Sequence, residues 1–204
     1  MKLQKSIFLW VISIVLCTGC ARYEAQPLAK AGLATHEKKP TSYRCAYHVF
    51  TKDDCKRYLG RNVVAKGYQP ILITFTNNTK RYFRVLRENI SMPTIPASQV
   101  VRRVHTSTVG RSLGYGIAGL IVWPLLIPAI VDGIRSSQAN YKLDRDFASK
   151  ELADQVVGPF VTLDGLIFVP KEKFSWNFTI KIIDAETEEV LTLKSHPASG
   201  ELSE

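Results

Sequence analysis

One apolar segment constrains the fold of this chain more than any other feature. Residues 112–134 read SLGYGIAGLIVWPLLIPAIVDGI, and Asp132 is the one charged residue among them. As an α-helix, residues 113–131 would be roughly 28 Å long, close to the thickness of a bilayer's hydrocarbon core. Pro124 and Pro128 would each remove a backbone hydrogen bond from such a helix. The apolar side chains of this segment therefore have to be buried in a membrane, against a partner, or within the rest of the fold.

A strand pattern precedes this segment. Residues 71–76 read ILITFT and are rich in β-branched side chains, which is typical of a strand. The sequence NNTK at 77–80 predicts a turn, and a second strand is expected to begin at Arg81 and end at Leu86. The polar stretch 43–62 predicts a loop or a short helix.

A second strand pattern follows the segment. Residues 164–165 are Asp-Gly between two apolar runs, which predicts a tight hairpin. Farther along, Phe178, Ile180 and Ile182 alternate with polar residues, so they are expected to share one buried face. Residues 184–188 predict the turn of another hairpin there.

Helical spacing separates the two strand sets. Within residues 98–155, Ser98 can cap a helix that carries Val100, Val101 and Val104. Farther along, Ala139, Leu143 and Phe147 recur every four positions, which predicts a second helix over 139–152. The fold class is therefore mainly β with a helical insertion. The strand pattern resembles that of immunoglobulin-like modules, which implies an immunoglobulin-like β-sandwich interrupted by an apolar helical hairpin at 112–134.

Three structures compete for the apolar segment. A single membrane crossing would place 43–97 and 156–195 on opposite sides, and each strand set alone is small for a stable core. A hairpin with arms 112–122 and 125–134 keeps both sets on one side, with Trp123-Pro124 at its tip. That hairpin either enters a membrane leaflet or contacts a partner, or it is covered by the protein's own sheet and helix.

If the hairpin is exposed, its apolar and aromatic side chains are the predicted membrane or partner contacts. An exposed apolar surface of this extent exceeds what a soluble monomer normally tolerates. The residues are Tyr115, Ile117, Leu120, Ile121, Trp123, Leu125, Leu126 and Ile127.

The N-terminus has the three-part plan of a secretory signal. The chain opens MKLQKSIFLWVISIVLCTGCARYEA, with two early lysines, an apolar region at 7–17 and small residues before Cys20. The end of this region resembles the lipobox of bacterial lipoproteins, in which a small residue such as Gly19 precedes a cysteine that becomes the lipidated N-terminus. An ordinary cleaved signal with an unmodified cysteine is the alternative.

The lipoprotein resemblance implies a location. Residues 1–19 would be removed as a signal peptide, Cys20 would carry palmitate or a similar acyl chain, and 20–42 would be a tether. Ala21 in the second mature position implies the outer membrane, with the protein facing the periplasm. Residues 196–204 are expected to be a tail.

The two remaining cysteines predict a disulfide bond. In an oxidising periplasm, Cys45 and Cys55 form an even pair that favours a disulfide. Free thiols are an alternative. A metal site with His48 is another, but these residues supply too few ligands for closed tetrahedral zinc.

No motif for catalysis or for a cofactor is present. The pattern GYGIAG at 114–119 lacks the flanking strand and uninterrupted helix of a dinucleotide site. His105 stands near Ser107, but helix capping explains that serine without chemistry. Asp53-Asp54 is expected to be a solvated pair, so neither an enzyme nor a cofactor or metal site is predicted.

These observations together predict an interaction protein. The net charge is +9 with scattered basic residues, which favours weak attraction to anionic lipids; the export signal excludes nucleic acid as a partner. We expect a lipid-anchored envelope protein that binds membrane, another envelope protein or a second copy of itself through the apolar insertion. A periplasmic binding module for an apolar or lipidic ligand is the alternative.

Overall fold

The computed structural model describes residues 23–28, 42–105 and 126–195, with 126–136 described by their backbone alone. Within these ranges the strands are β1 (Tyr43–Val49), β2 (Tyr68–Asn77), β3 (Phe83–Ile90), β4 (Gln155–Val157), β5 (Thr162–Pro170), β6 (Thr179–Asp184) and β7 (Val190–Lys194). The α-helices are α1 (Lys52–Leu59), α2 (Ala97–Val104) and α3 (Leu126–Lys150). The strands, α1, α2 and the end of α3 belong to one compact unit, whereas His105 and α3 up to Arg145 belong to a second.

The strands form two antiparallel sheets. One has the order β1-β2-β5, and the other has the order β4-β3-β6-β7. Strands from before and after the helical region are therefore mixed, because β5 pairs with β2 while β4 and β6 pair with β3. The prediction of a mainly β fold with helices inserted between its strands is confirmed.

One hydrophobic cluster takes side chains from both sheets. Alternate residues of β2 point into it, and the Phe75 ring meets the Phe83 ring of β3 edge to face at 5.7 Å. Tyr47 of β1 meets Phe178 in the same way at 5.2 Å. Phe178, Ile180 and Ile182 all join the cluster, as their alternation predicted. Each such side chain contributes about 1.5–3 kcal/mol when fully buried.

The opposite face of β2 and β5 is buried as well. Leu72 and Leu166 are directly paired across the two strands, and both are almost fully buried. Near the end of α3, the Phe147 ring stacks on the Phe168 ring with centroids 5.7 Å apart and planes 6° from parallel. A strand buried on two faces loses the alternation of polar and apolar residues, which explains the continuous LIFV run in β5.

The helices differ from the prediction in length. The expected helix near residue 98 is α2, whose Val100, Val101 and Val104 are buried. The expected arm 125–134 and the expected helix 139–152 are instead one continuous helix, α3, of 25 residues. The polar residues between them can continue a helix because none of them is proline or glycine.

The predicted hairpin at Asp164-Gly165 is wrong. Both residues lie inside β5, and the Thr74 hydroxyl donates a hydrogen bond to the Asp164 carboxylate. A Cβ placed on Gly165 would come within 2.5 Å of the Leu152 Cα. Glycine is therefore needed for the close approach of the chain after α3, not for a turn.

The predicted turns at 77–80 and 184–188 do exist, with different roles. The first connects the two sheets, and the Asn77 amide group holds it by donating to the carbonyls of Arg81 (2.7 Å) and Gly158 (2.8 Å). The second joins β6 to β7 in a hairpin, as predicted. In it Glu188 has a positive φ of 57°.

Residues 43–62 are more regular than predicted. They form β1, paired along β2, and then α1, which begins after Thr51. Thr51 and Asp54 form a capping box, in which the Thr51 hydroxyl accepts from the Asp54 N–H at 3.1 Å and the Asp54 carboxylate accepts from the Thr51 N–H at 2.9 Å. Part of the predicted tether is also attached, because the Gln26 N–H donates to the Arg57 carbonyl at 2.8 Å.

Asp184 holds the β6–β7 turn and ties it to the chain before β3. Its fully buried carboxylate accepts from the N–H groups of Glu186 (2.9 Å) and Thr187 (3.0 Å) and pairs with the Arg81 guanidinium. The Thr187 bond is the largest influence on its pKa. Burial opposes that bond, and the Glu186 and Arg81 contacts assist it, so that the pKa falls to about 2.

Gly165→Ala tests the close approach to Leu152. The added methyl group meets backbone rather than a flexible side chain, so we expect a loss of about 2–3 kcal/mol in the free energy of unfolding, measured with urea. Gly158→Ala is the matched control, because its Cβ would lie 3.6 Å from the Tyr82 ring, an ordinary contact. Equal effects of the two substitutions would contradict this account of Gly165.

Asp184→Asn tests the turn through its pH dependence. The folded-state pKa of about 2 lies below the ordinary 3.8, so the carboxylate stabilises the fold above pH 3.8 and loses that effect as pH falls towards 2. We expect the variant to be less stable than the native chain at neutral pH, with the difference shrinking over this window in urea titrations. Glu186→Gln, whose exposed carboxylate accepts none of these bonds, is the control. A difference that stays constant across the window would contradict the role of the ionised group.

Candidate membrane and partner interface

The predicted contact residues lie mostly outside the described ranges. Cys20, Tyr115, Ile117, Leu120, Ile121, Trp123 and Leu125 belong to this group. Leu126 and Ile127 are the first two residues of α3, and their backbone is helical. The structure therefore bears on the interface through the elements that precede and follow the apolar segment.

Strand pairing determines on which side of a membrane the strands before and after the apolar segment can lie. β2 and β5 are paired from Tyr68 opposite Pro170 to Thr76 opposite Thr162. β3, the last strand before the helices, likewise pairs with β4 and β6 after them. Hydrogen-bonded strands lie on the same side of any membrane, so a single crossing by residues 112–134 is incompatible with the fold.

Among the helices in the described part of the chain, none is both long and apolar enough to cross a membrane.

One aromatic side chain of the second unit is exposed. Tyr141 of α3 is 62% exposed, and the Arg145 guanidinium lies 5.8 Å from the centre of its ring. A shallow depression beside Tyr141 is lined by Ser137, Gln138 and Lys142 of the same helix. Side chains from one helix surface do not enclose a ligand, so this depression supports no binding site.

The histidine considered in the sequence has a carboxylate partner. The His105 Nε2 atom lies 2.6 Å from the Asp144 Oδ1 atom, and both side chains are partly exposed. Ser107, the residue considered as its nucleophile, lies outside the described residues. The pair joins His105, the residue after α2, to α3 within the second unit, and among the described residues it contains no nucleophile.

The predicted disulfide is not formed: Cys45 and Cys55 are free thiols. Cys45 stands opposite Phe75 in the β1–β2 register and packs against the cluster that takes side chains from both sheets. Cys55 is fully buried on α1 and receives backbone hydrogen bonds from Val64 and Val63. The two sulfurs face different surroundings because one side chain belongs to a strand face and the other to a helix.

Burial governs the chemistry of both thiols. It raises the pKa of Cys45 to about 12. It raises the pKa of Cys55 to about 11, against the opposing backbone hydrogen bonds and with a smaller contribution from the Asp54 charge. The thiolate is the reactive form, so both side chains act as small apolar groups at neutral pH.

The acidic pair at 53–54 has a structural role. Burial tends to raise the pKa of Asp54, but hydrogen bonds from Thr51 and the contact with His48 at 3.2 Å outweigh it and leave that pKa lowered. Asp53 pairs with Lys56 at 3.5 Å. Within the described residues no group of three or more side chains has the make-up of a metal site.

Sequence reasoning missed a second polar cluster, which ties the helices to β3. The Arg87 guanidinium pairs with Glu151 just after α3 and with Asp154 before β4. The Glu151 carboxylate also accepts from the Ala97 N–H at the start of α2, at 3.2 Å. These partners are more than fifty residues apart in sequence, so no local pattern could have indicated the cluster.

Thiol labelling checks the state of the cysteines. With Cys20→Ala in place, the mature chain isolated without reductant and then denatured should take up two iodoacetamide groups, one each at Cys45 and Cys55. The folded protein should react far more slowly, because burial suppresses the thiolate. Mass spectrometry reads both results. A denatured chain that takes up no label until it is reduced would show the disulfide.

Comparisons with known proteins give no family for this chain. No protein-family model matches it, and neither a curated protein nor a solved structure does.

Proposed function

We propose that this protein is a lipid-anchored envelope protein with a structural or interaction role. Cys20 carries the lipid, and residues 112–134 bind the membrane or another envelope component. One observation supports this most: β2 and β5 pair across the insertion. The apolar segment therefore leaves the folded unit and returns to it on one side, as a segment that enters one leaflet or lines a partner would do.

We also propose a finer description of the fold. The two sheets form an immunoglobulin-like β-sandwich, and residues 112–134 form a helical hairpin. The shared hydrophobic cluster and the Phe75–Phe83 ring contact support the sandwich. The helical backbone that begins at Leu126 supports the second arm.

The location follows from the same proposal. A secretory signal that ends in Gly19-Cys20 supports export and acylation, and Ala21 supports the outer membrane facing the periplasm. Stable attachment to a membrane needs two signals when each one is weak. A lipid at Cys20 and an apolar insertion supply two, so the insertion adds to the anchor or directs the protein to a partner in the same leaflet.

Removal of the anchor tests the second attachment. With Cys20→Ala and an ordinary cleavable signal, we expect the exported chain to remain with the membranes after alkaline extraction, because residues 112–134 hold it there. Immunoblotting of pellet and supernatant is the measurement. Release as a soluble monomer would show that the segment is buried within the fold.

A charged residue placed in the apolar segment tests whether this segment holds the Cys20→Ala chain on the membrane. In the same Cys20→Ala background, Ile121→Asp should release the chain, because an aspartate near the middle of a buried apolar segment costs about 2.5–3.5 kcal/mol in a membrane. Val190→Asp is the control, since Val190 is 52% exposed on β7. Release by both substitutions, or by neither, would contradict the role of the segment.

A further inference from the structure

The folded unit has a basic end. We call it the α1 end: it comprises α1, the 3-10 turn Val64–Lys66 before β2, and the 3-10 turn Lys171–Lys173 after β5. The Lys171 N–H donates to the Gly67 carbonyl at 2.9 Å, which brings the two turns together. The basic side chains of this end are Lys52, Lys56, Arg57, Arg61, Lys66, Lys171 and Lys173, and the acidic ones are Asp53, Asp54 and Glu172.

The opposite end carries acidic side chains. The β6–β7 turn lies beside the turn before β3, because the Ala185 N–H donates to the Tyr82 carbonyl at 2.8 Å. Four acidic residues are found there with three basic ones: Asp184, Glu186, Glu188 and Glu189, with Lys80, Arg81 and Arg84. Seven basic and three acidic residues give the α1 end a charge of +4, against −1 here.

Ion pairing differs between the two ends. Arg81 and Arg84 are paired with carboxylates of the β6–β7 turn, so their charges are compensated locally. At the α1 end, Lys66, Lys171 and Lys173 are exposed and form no ion pair with another described residue. Exposed lysines without ion pairs give the α1 end a positive potential, and this potential attracts anions.

The chain that follows Cys20 reaches the same end. The Gln26 N–H is bonded to the Arg57 carbonyl at the end of α1. Gln26 is six positions after Cys20, and six extended residues span at most about 20 Å. A lipid at Cys20 would therefore hold the α1 end, and not the acidic end, close to the bilayer surface.

An aromatic side chain stands beside the lysines. Trp176 follows Lys173 by three residues, is 39% exposed, and packs edge to face on Phe174 at 5.1 Å. Tryptophan is enriched where proteins meet the membrane–water interface, because its ring is apolar and its N–H is polar. Lysines with a neighbouring tryptophan match the chemistry of anionic lipid headgroups.

We propose that the α1 end is a docking surface for anionic lipid headgroups, which holds the folded unit with its acidic end away from the bilayer. Lys66, Lys171 and Lys173 contact the headgroups, and Trp176 lies at the interface. This orientation rests on the proposed anchoring at Cys20. The docking itself is tested on a chain without the anchor, so the two can fail separately.

The test compares anionic with neutral vesicles. The mature chain with Cys20→Ala is floated with vesicles of phosphatidylcholine alone or of phosphatidylcholine mixed with phosphatidylglycerol. The ratio of the two apparent affinities isolates the effect of lipid charge, since contacts of the apolar insertion contribute to both. Each lysine near an anionic surface strengthens binding by roughly fivefold, so the combined variant Lys66→Gln, Lys171→Gln, Lys173→Gln should lower this ratio at least about tenfold.

A matched variant controls for net charge. Lys80→Gln, Lys181→Gln, Lys194→Gln removes as many exposed lysines outside the α1 end and should lower the ratio by less than about threefold. Circular dichroism checks that both variants are folded. Equal effects of the two sets, or a native ratio near one, would overturn the docking surface. Membrane fractionation of the chain with Cys20 in place tests the lipid anchor separately. A negative result there would contradict the anchor but not the docking surface.

Discussion

The pairing of β2 with β5 is the constraint on which the rest of the structure depends. It brings Thr76 and Thr162 into contact across 86 positions of chain, which include α2 and α3. The entropic cost of closing a loop grows only slowly with the length of the loop. A long insertion is therefore tolerated at this position. The insertion must also begin and end at the same folded unit. This excludes a single membrane crossing, although the apolar segment has the length for one.

The parts of the fold that the sequence predicted are those controlled by local patterns. Phe178, Ile180 and Ile182 alternate because the chain up to and along β6 has one buried face, and the turn at 184–188 begins with an aspartate, which favours turns. α2 was recognised from its valines, which share one buried side of two turns. In each case the residues that make the pattern also make the contacts.

The errors arose where a distant contact outweighs a local preference. Asp164-Gly165 has the composition of a turn, but β5 continues through it because Thr74 holds the aspartate and Leu152 fills the space beside the glycine. Cys45 and Cys55 are near each other in sequence, yet a strand and a helix direct them into different surroundings. The basic end was hidden for the same reason, since the pairing of β2 with β5 brings 171–173 beside Gly67.

An anchor and a charged surface restrict different motions of the folded unit. The proposed lipid at Cys20 would limit the distance between the folded unit and the bilayer, because few residues separate Cys20 from Gln26, which is bonded to Arg57. A single point of attachment would still leave the unit free to rotate. A charge difference between the two ends opposes that rotation near an anionic leaflet, within a Debye length of about 8–10 Å. Orientation in turn decides which surface other envelope components meet. In the proposed orientation, the acidic end would face away from the bilayer and be accessible to other proteins, and Phe160 in the loop before β5 is 68% exposed.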